Sequence, residues 1–174
     1  MSATHPTIRE ARPADAPAVL DIYRPFVTDT AVSFEAEAPN VAEMEARIAS
    51  AQSQWSWLVA EVDGRVAGYA YASAFRARAA YRYGVETSAY VHADYRGKGV
   101  AGLLYRRLFD VLRAKGYCNA YAGIVLPNDA SVGFHKSLGF TLAGTFRRAG
   151  WKFGRWHDVS WWEVELAEGP PRET

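Results

Sequence analysis

The sequence has a single cysteine, Cys118, in 174 residues, and it has no long apolar run. One cysteine cannot form an internal disulfide, so a fold held together by disulfide bonds is excluded. Charged residues interrupt every apolar stretch well before the roughly twenty residues that a membrane-spanning helix needs. The first fifteen residues also lack the basic and then apolar pattern of a secretory signal. We therefore expect a soluble, cytoplasmic protein with no membrane partner.

The chain also lacks an excess of charge of either sign. Lys and Arg number 20 against 19 Asp and Glu, a formal net charge of +1. Without a strong positive field the protein is not expected to hold a polyanion, which argues against a nucleic-acid partner. The length suits one domain with a substantial core. We expect a single domain over residues 1–174, with a core from 7 to 167 and a frayed polar tail at 168–174.

The order of predicted elements is mixed. Asp15 is placed to cap a first helix, and Asn40 begins a second, with Glu43 three residues on as in a capping box. The pair Asp63-Gly64 separates two β-rich runs and is typical of a tight hairpin turn. Further strands flank a long apolar helix and a shorter one. The pattern predicts an α/β (mixed α+β) fold with mostly antiparallel hairpins.

The stretch "DYRGKGVAGLLYRRLF" places three glycines, Gly97, Gly99 and Gly102, at the start of the long helix. Glycine normally weakens a helix, so the crowding needs a reason. Free N–H groups at a helix start, with Arg96 and Lys98 beside them, suit a phosphate group. A tight turn that packs the helix on the sheet explains the glycines equally well. The stretch is not a P-loop, because no Gly-Lys-Ser/Thr ending is present.

Two motifs in the right order favour the first interpretation. "RGKGVA" has the form Arg/Gln-x-x-Gly-x-Gly/Ala and resembles the acyl-CoA pyrophosphate loop of the GNAT superfamily of N-acetyltransferases, and "NDASVGFHKSLGF" resembles the later element of that family. Three more segments resemble the phosphinothricin and methionine sulfoximine acetyltransferase branch of this family, namely "TAVSFE", "FRARAAYRYGVETSAYV" and "WKFGRWHDV". The resemblance runs from Ile8 to Leu166. It implies a central twisted, mostly antiparallel sheet that is splayed in the middle, with helices on both faces and acetyl-CoA in the cleft.

The resemblance implies a set of acetyl-CoA contacts. The backbone of the preceding strand would pair with the pantetheine arm, and N–H groups of the glycine stretch would bind the pyrophosphate. Asn128 matches the motif asparagine, a role compatible with a plain helix cap. The implied cofactor-binding residues are Tyr90, Val91, His92, Arg96, Gly97, Lys98, Gly99, Val100, Ala101, Gly102, Asn128, Ser131 and His135.

The resemblance also implies catalytic roles. Glu86 stands where the branch has its proposed general base, acting directly or through a water, although an ordinary strand glutamate would look the same. An N–H near Val91 would stabilise the negative charge on the thioester oxygen. His135 stands where the family places a group that protonates the CoA thiolate, and simple packing of this histidine is an equal alternative. We expect no metal, because no residue cluster has ligand spacing.

For the acceptor, the two arginines Arg76 and Arg78 suit a carboxylate or phosphinate, which guanidinium groups hold by parallel hydrogen bonds. Arginines in a loop are more often simply solvated, and it is the resemblance to the branch that favours binding here. Phe34 and Glu35 match the wall of the acceptor pocket, and Tyr81 and Thr87 are weaker members of it. The branch is typically dimeric, which predicts a homodimer with the aromatic residues of "WKFGRWHDV" near its interface. Those residues are Trp151, Phe153 and Trp156.

The expected activity is therefore acetyl transfer from acetyl-CoA to the α-amino group of phosphinothricin, methionine sulfoximine or methionine sulfone, by direct attack in a ternary complex. Resistance to such a compound is the corresponding biological role. Thr87 and Ala89 depart from residues frequent in relatives, which leaves the exact acceptor open. An acetyltransferase for another amine, such as an aminoglycoside or a protein N-terminus, is one alternative. A non-catalytic acyl-CoA sensor is another.

Overall fold

The computed structural model describes residues 5–169 and 171, and the rest of the predicted frayed tail lies outside them. The described residues form seven strands and four helices in mixed order, with three short 3-10 turns between them. Their bounds are β1 Thr7–Glu10, α1 Ala16–Thr28, α2 Val41–Gln54, β2 Trp57–Val62, β3 Arg65–Ala74, β4 Gly84–Val91, α3 Val100–Ala114, β5 Asn119–Val125, α4 Asp129–Ser137, β6 Thr141–Lys152 and β7 Arg155–Glu165.

The strands form one open sheet in the order β1-β2-β3-β4-β5-β7-β6. Among the described strands only the central pair, β4 and β5, is parallel, and it is paired at just three positions, of which the last is Glu86 beside Tyr121. Beyond that point β4 stays paired with β3 as far as Val91, and β5 stays paired with β7 as far as Val125. The two halves of the sheet therefore part in the middle, which confirms the predicted splayed, mostly antiparallel fold.

Local signals explain where several elements begin. Asn40 accepts a hydrogen bond from the Glu43 N–H, and the Glu43 carboxylate accepts one from the Asn40 N–H, which confirms the capping box. Asp63 and Gly64 both have positive φ, as the predicted hairpin turn requires. Asp15 does not cap α1 with its side chain. Its carboxylate is engaged by the Arg9 guanidinium and the Arg12 N–H instead.

Helices cover the sheet on both faces. α1 and α2 pack on one face and α3 packs on the other, each over its own apolar core. Leu104, Leu108 and Leu112 recur at helical spacing along α3 and are fully buried. Each contributes about 1.5–3 kcal/mol of burial free energy, which holds the start of α3 against the sheet. None of the helices in the described ranges combines the length and apolar character that crossing a membrane requires.

The β6–β7 hairpin contains the segment "WKFGRWHDV". It continues through "WKFGRW" to a turn at Phe153 and Gly154, both with positive φ. Three aromatic side chains near this turn, Trp151, Phe153 and Trp156, are exposed. The aromatic residues near the end of the chain thus fall into two groups, an exposed group near the turn and a buried group that includes Trp162 on the same hairpin.

Candidate active site

The glycine stretch forms a cradle of N–H groups at the start of α3. Gly97 and Gly99 adopt left-handed backbone conformations, with φ of 73° and 78°, and Gly99 is the residue that precedes the helix. Within the described part of the chain, no acceptor takes the N–H groups of residues 97–102. Open space lies where side chains at Gly97 and Gly99 would stand. Such groups at the positive end of a helix dipole fit a pyrophosphate.

Two cations flank this cradle. The Arg96 Nε donates to the Val91 carbonyl oxygen at 3.3 Å, and its guanidinium lies 5.1 Å from the centre of the Phe26 ring. The Lys98 ammonium lies 5.5 Å from the centre of the Tyr95 ring. Both side chains are exposed at the mouth of the cradle. They add positive charge there without closing it.

The exposed edge of β4 faces the splay. The His92 N–H donates to the Ala67 carbonyl on the β3 side. Successive N–H groups of a strand point to opposite sides, so the Val91 N–H points away from β3, toward the gap beside β5. An N–H at this position is free to meet an oxygen in the cleft. The Tyr90 ring is turned to the other face, where it packs against Tyr23 and Phe26.

The cleft at the splay brings the second predicted element to the same place. Its lining includes Tyr90, Asn128, Ser131 and His135, four of the predicted cofactor residues. Asn128 Oδ1 accepts the Ser131 N–H at 3.1 Å, so this asparagine is a helix cap as well as part of the cleft wall. The His92 side chain is not part of this cleft. Its Nδ1 accepts from the Asp94 N–H at the surface.

His135 is buried and hydrogen-bonded at both ring nitrogens. Its Nδ1 lies 2.8 Å from the Ser131 carbonyl oxygen, an atom that only accepts, so Nδ1 carries the proton. Burial lowers the pKa of His135, against a smaller opposite effect of that hydrogen bond, which favours the neutral ring. Nε2 then accepts from the Tyr105 hydroxyl at 3.2 Å. In this state the proton nearest the cleft belongs to Tyr105.

Thr87 lies on the same side of the sheet as Tyr105. Its hydroxyl donates to the Tyr121 carbonyl at 3.3 Å and lies 3.4 Å from the Tyr105 hydroxyl. Side chains alternate along a strand, so Thr87 and Glu86 point to opposite faces. The structure therefore groups Thr87 with His135, and its predicted place in the acceptor pocket stays a prediction.

Glu86 is the last residue of β4 paired with β5. Its side chain is half-buried, and no hydrogen bond to its carboxylate is found among the described residues. Burial raises the pKa of Glu86 above its usual value, and the positive charge of Arg76 partly opposes this. A carboxylate that is desolvated and uncommitted at the edge of the splay is suited to accept a proton.

The predicted anion-binding arginines lie near the carboxyl end of β3. The Arg76 guanidinium lies 4.4 Å from the centre of the Phe75 ring and 5.6 Å from that of Trp161, and it donates to its neighbour's carbonyl at 2.9 Å. Arg78 is exposed at the start of a 3-10 turn, and Tyr81 at the end of that turn is 44% exposed. Both arginines keep donors available to a bound anion.

The predicted acceptor wall lies in the loop between α1 and α2. Phe34 is 41% exposed and lies over the β6–β7 hairpin, with its ring centre 6.1 Å from that of His157. The Glu35 carboxylate is already committed, because it accepts from Arg47 at 2.6 and 3.0 Å and from the Tyr23 hydroxyl. The Arg47 contact lowers the pKa of Glu35. Glu35 is thus an anion held in place rather than a free base.

A family model described as an acetyltransferase (GNAT) domain matches residues 8–161. The chain belongs to the GNAT acetyltransferase family. Phosphinothricin N-acetyltransferase of Streptomyces viridochromogenes is 41% identical over 166 residues, which cover 95% of this chain and 91% of that protein. The L-methionine sulfoximine/L-methionine sulfone acetyltransferase of Salmonella typhimurium is 37% identical over 93% of this chain and 95% of its own length. The predicted family and branch are confirmed.

The GNAT fold is also that of a solved relative. The crystal structure of a phosphinothricin acetyltransferase from Sinorhizobium meliloti in complex with acetyl-CoA superposes with a TM-score of 0.92 at 37% identity. The superposition covers 97% of this chain and 94% of that chain. In the described residues of this GNAT acetyltransferase, no cluster of His, Cys, Asp and Glu could hold a metal ion.

Three residues of the site carry no signal of their own in the GNAT sequence motifs. Tyr105 lies in the apolar stripe of α3 and has the pattern of a core residue. In the sequence, Arg47 looks like an ordinary exposed charge on α2, and Lys152 looks like an ordinary exposed charge on β6. Only the packing of distant segments shows that Tyr105 meets His135, and that Arg47 and Lys152 hold the loop of Phe34 and Glu35.

Proposed function

We propose that this acetyltransferase transfers the acetyl group of acetyl-CoA to the α-amino group of a small amino-acid analogue, by direct attack in a ternary complex. Phosphinothricin, methionine sulfoximine and methionine sulfone are the expected acceptors, because they are the compounds in the names of its relatives. The observation that carries the proposal is the uncommitted, half-buried carboxylate of Glu86, at the point where the sheet opens beside an N–H cradle.

The cradle and the β4 edge would hold the acetyl donor. N–H groups of residues 97–102 bind the pyrophosphate, and Arg96 and Lys98 add charge at its mouth. The open edge of β4 at residues 90–92, with Asn128 and Ser131 opposite, holds the pantetheine arm. The donor supplies a thioester, whose carbonyl is the target of the attacking amine.

Glu86 acts as the base in this scheme. An α-amino group has a pKa of about 8, so most of it is protonated at neutral pH and cannot attack. Glu86 removes that proton, directly or through a water. The Val91 N–H stabilises the charge that develops on the thioester oxygen. The Tyr105 hydroxyl, which is hydrogen-bonded to His135 Nε2, then protonates the departing thiolate, and the phenolate left behind takes up the second proton that the attacking nitrogen loses as the amide forms.

The acceptor's anionic end is assigned to Arg76 and Arg78. Phe34 and Tyr81 supply apolar walls, Thr87 and Glu35 complete the predicted set, and the Glu35 carboxylate adds negative charge near the substrate ammonium.

The exposed aromatic residues Trp151, Phe153 and Trp156 support the proposal of a homodimer, because a hydrophobic patch of this kind suits a protein contact. A cytoplasmic location and a resistance role stay predictions.

Release of free thiol from acetyl-CoA tests the proposal. Turnover is expected with methionine sulfoximine, phosphinothricin and methionine sulfone, and none with an aminoglycoside, because the two arginines oppose a cationic acceptor. The decarboxylated amine of methionine sulfone serves as the matched control and should show a much higher KM. Binding of acetyl-CoA without turnover of any of the amines would instead favour the sensor.

A further inference from the structure

The side chain of Lys152 connects the β6–β7 hairpin to the loop that follows α1. Its ammonium donates to three main-chain oxygens, those of Val27 at 2.6 Å, Thr30 at 3.0 Å and Ser33 at 2.7 Å. Three acceptors use all three N–H donors of an ammonium group. Val27 lies in the last turn of α1, where carbonyl groups lack helical partners and carry the negative end of the helix dipole. Thr30 and Ser33 lie in the loop after the helix.

A second contact joins the same two segments. The Phe34 ring lies against the backbone of Gly150, so closely that any side chain at this glycine would overlap the ring. The neighbouring His157 Nε2 donates to the Lys152 carbonyl at 3.0 Å, which ties β7 to the same point. The hairpin thus supports both the backbone before Phe34 and the ring itself.

The other side of the loop is held separately. Glu35 is bonded to Tyr23 on α1 and to Arg47 on α2. The segment with Phe34 and Glu35 is therefore fixed between two helices and the hairpin. Removal of Lys152 would release the backbone before Phe34 from the hairpin, would leave the Phe34–Gly150 contact as the remaining hairpin contact, and would leave the cradle at residues 97–102 untouched.

We propose that Lys152 is a positioning residue for the acceptor, which sets the distance between the Phe34 wall and the amine site by tying the hairpin to the loop. The inference rests on the proposed function. Arg cannot replace Lys152 fully, because a planar guanidinium does not place three N–H donors around one nitrogen. This role differs from simple structural support, because it predicts that loss of Lys152 changes the KM for the acceptor and not the KM for acetyl-CoA.

The test compares Lys152→Met and Lys152→Arg with Arg155→Met, which removes an exposed cation from the facing strand of the same hairpin. The measurements are KM for methionine sulfone, KM for acetyl-CoA, thermal midpoint, and hydrogen exchange in residues 28–36. Lys152→Met should raise the acceptor KM at least about tenfold, because small misplacements are costly, and should leave the acetyl-CoA KM unchanged. Exchange in residues 28–36 should quicken, Lys152→Arg should be intermediate, and Arg155→Met should match the wild type.

A folded Lys152→Met protein with an unchanged acceptor KM would overturn the inference, as would equal rises in both KM values. If Lys152→Met does not fold, Gly150→Ala disturbs the same wall from the hairpin backbone, and an unchanged acceptor KM there overturns it too. If the wild type acetylates none of the amines, the proposed function fails first. Exchange in residues 28–36 then decides whether the tether exists, and an unchanged rate rejects it.

Discussion

Replacing Glu86 by Gln keeps the shape of the side chain and removes its ability to accept a proton. A general base contributes about 100- to 10,000-fold to a rate, or about 2.7–5.5 kcal/mol of activation free energy. Glu35, the other carboxylate predicted in the acceptor pocket, is not a ready substitute, because it is bonded to Arg47 and Tyr23. We therefore expect Glu86→Gln to lower kcat/KM for methionine sulfone at least about a hundredfold.

The pH profile makes this prediction specific. Burial raises the pKa of Glu86 above 4.5, so the wild-type rate should fall on acidification as this carboxyl becomes protonated. Glu86→Gln should lose that acidic limb and keep only the dependence that comes from the amine itself. Thiol release over the acidic and neutral range measures both profiles, with the exposed Glu165→Gln on β7 as control. A full rate with an unchanged acidic limb in Glu86→Gln would refute the assignment.

Three further outcomes follow from other parts of the site. Gly99→Ala forces a left-handed backbone on a residue with a side chain, so it should cost about 1 kcal/mol of stability and weaken acetyl-CoA binding. Urea melts measure the stability and calorimetry measures the binding. Unchanged values in both would contradict the assignment of this stretch as the pyrophosphate cradle. Tyr105→Phe removes one hydroxyl and should lower kcat at least about tenfold with little change in acceptor KM, and an unchanged kcat excludes the proton role. Burial lowers the pKa of His135 from 6.5, so the unfolded chain binds more protons below that pH, and stability should fall with acidification there. His135→Gln should reduce this fall in urea melts, and an identical pH dependence would contradict it.

Local signals predicted much of the fold. The Asn40 capping box, the Asp63-Gly64 turn and the apolar stripe of α3 each depend on residues close together in the sequence, and each is present. The prediction for Asp15 was wrong because it considered only the helix that follows. Arg9, on the preceding strand, binds the same carboxylate and draws it away from α1.

The candidate site was predictable where a motif is continuous. The cradle lies in one stretch of sequence, and its glycines have the backbone conformations that such a stretch suggests. Contacts between distant segments were not predictable in this way. Tyr105 meets His135 across 30 positions, and Lys152 meets Val27 across 125. Neither spacing has a periodicity that marks it, so both contacts depend on how the sheet brings the segments together.

The position of β6 has a consequence for aggregation. β6 is one of the two edge strands of the sheet, and it is exposed along most of its 12 residues. A long, regular edge of this kind is a template on which further chains can add without limit. Two bulges, near Leu142 and between Phe146 and Gly150, break its register, and Arg147 and Arg148 lie within the second. The two bulges therefore also protect this edge against the addition of further chains. Deletion of the extra residues that form the bulges would make the strand regular and remove that protection.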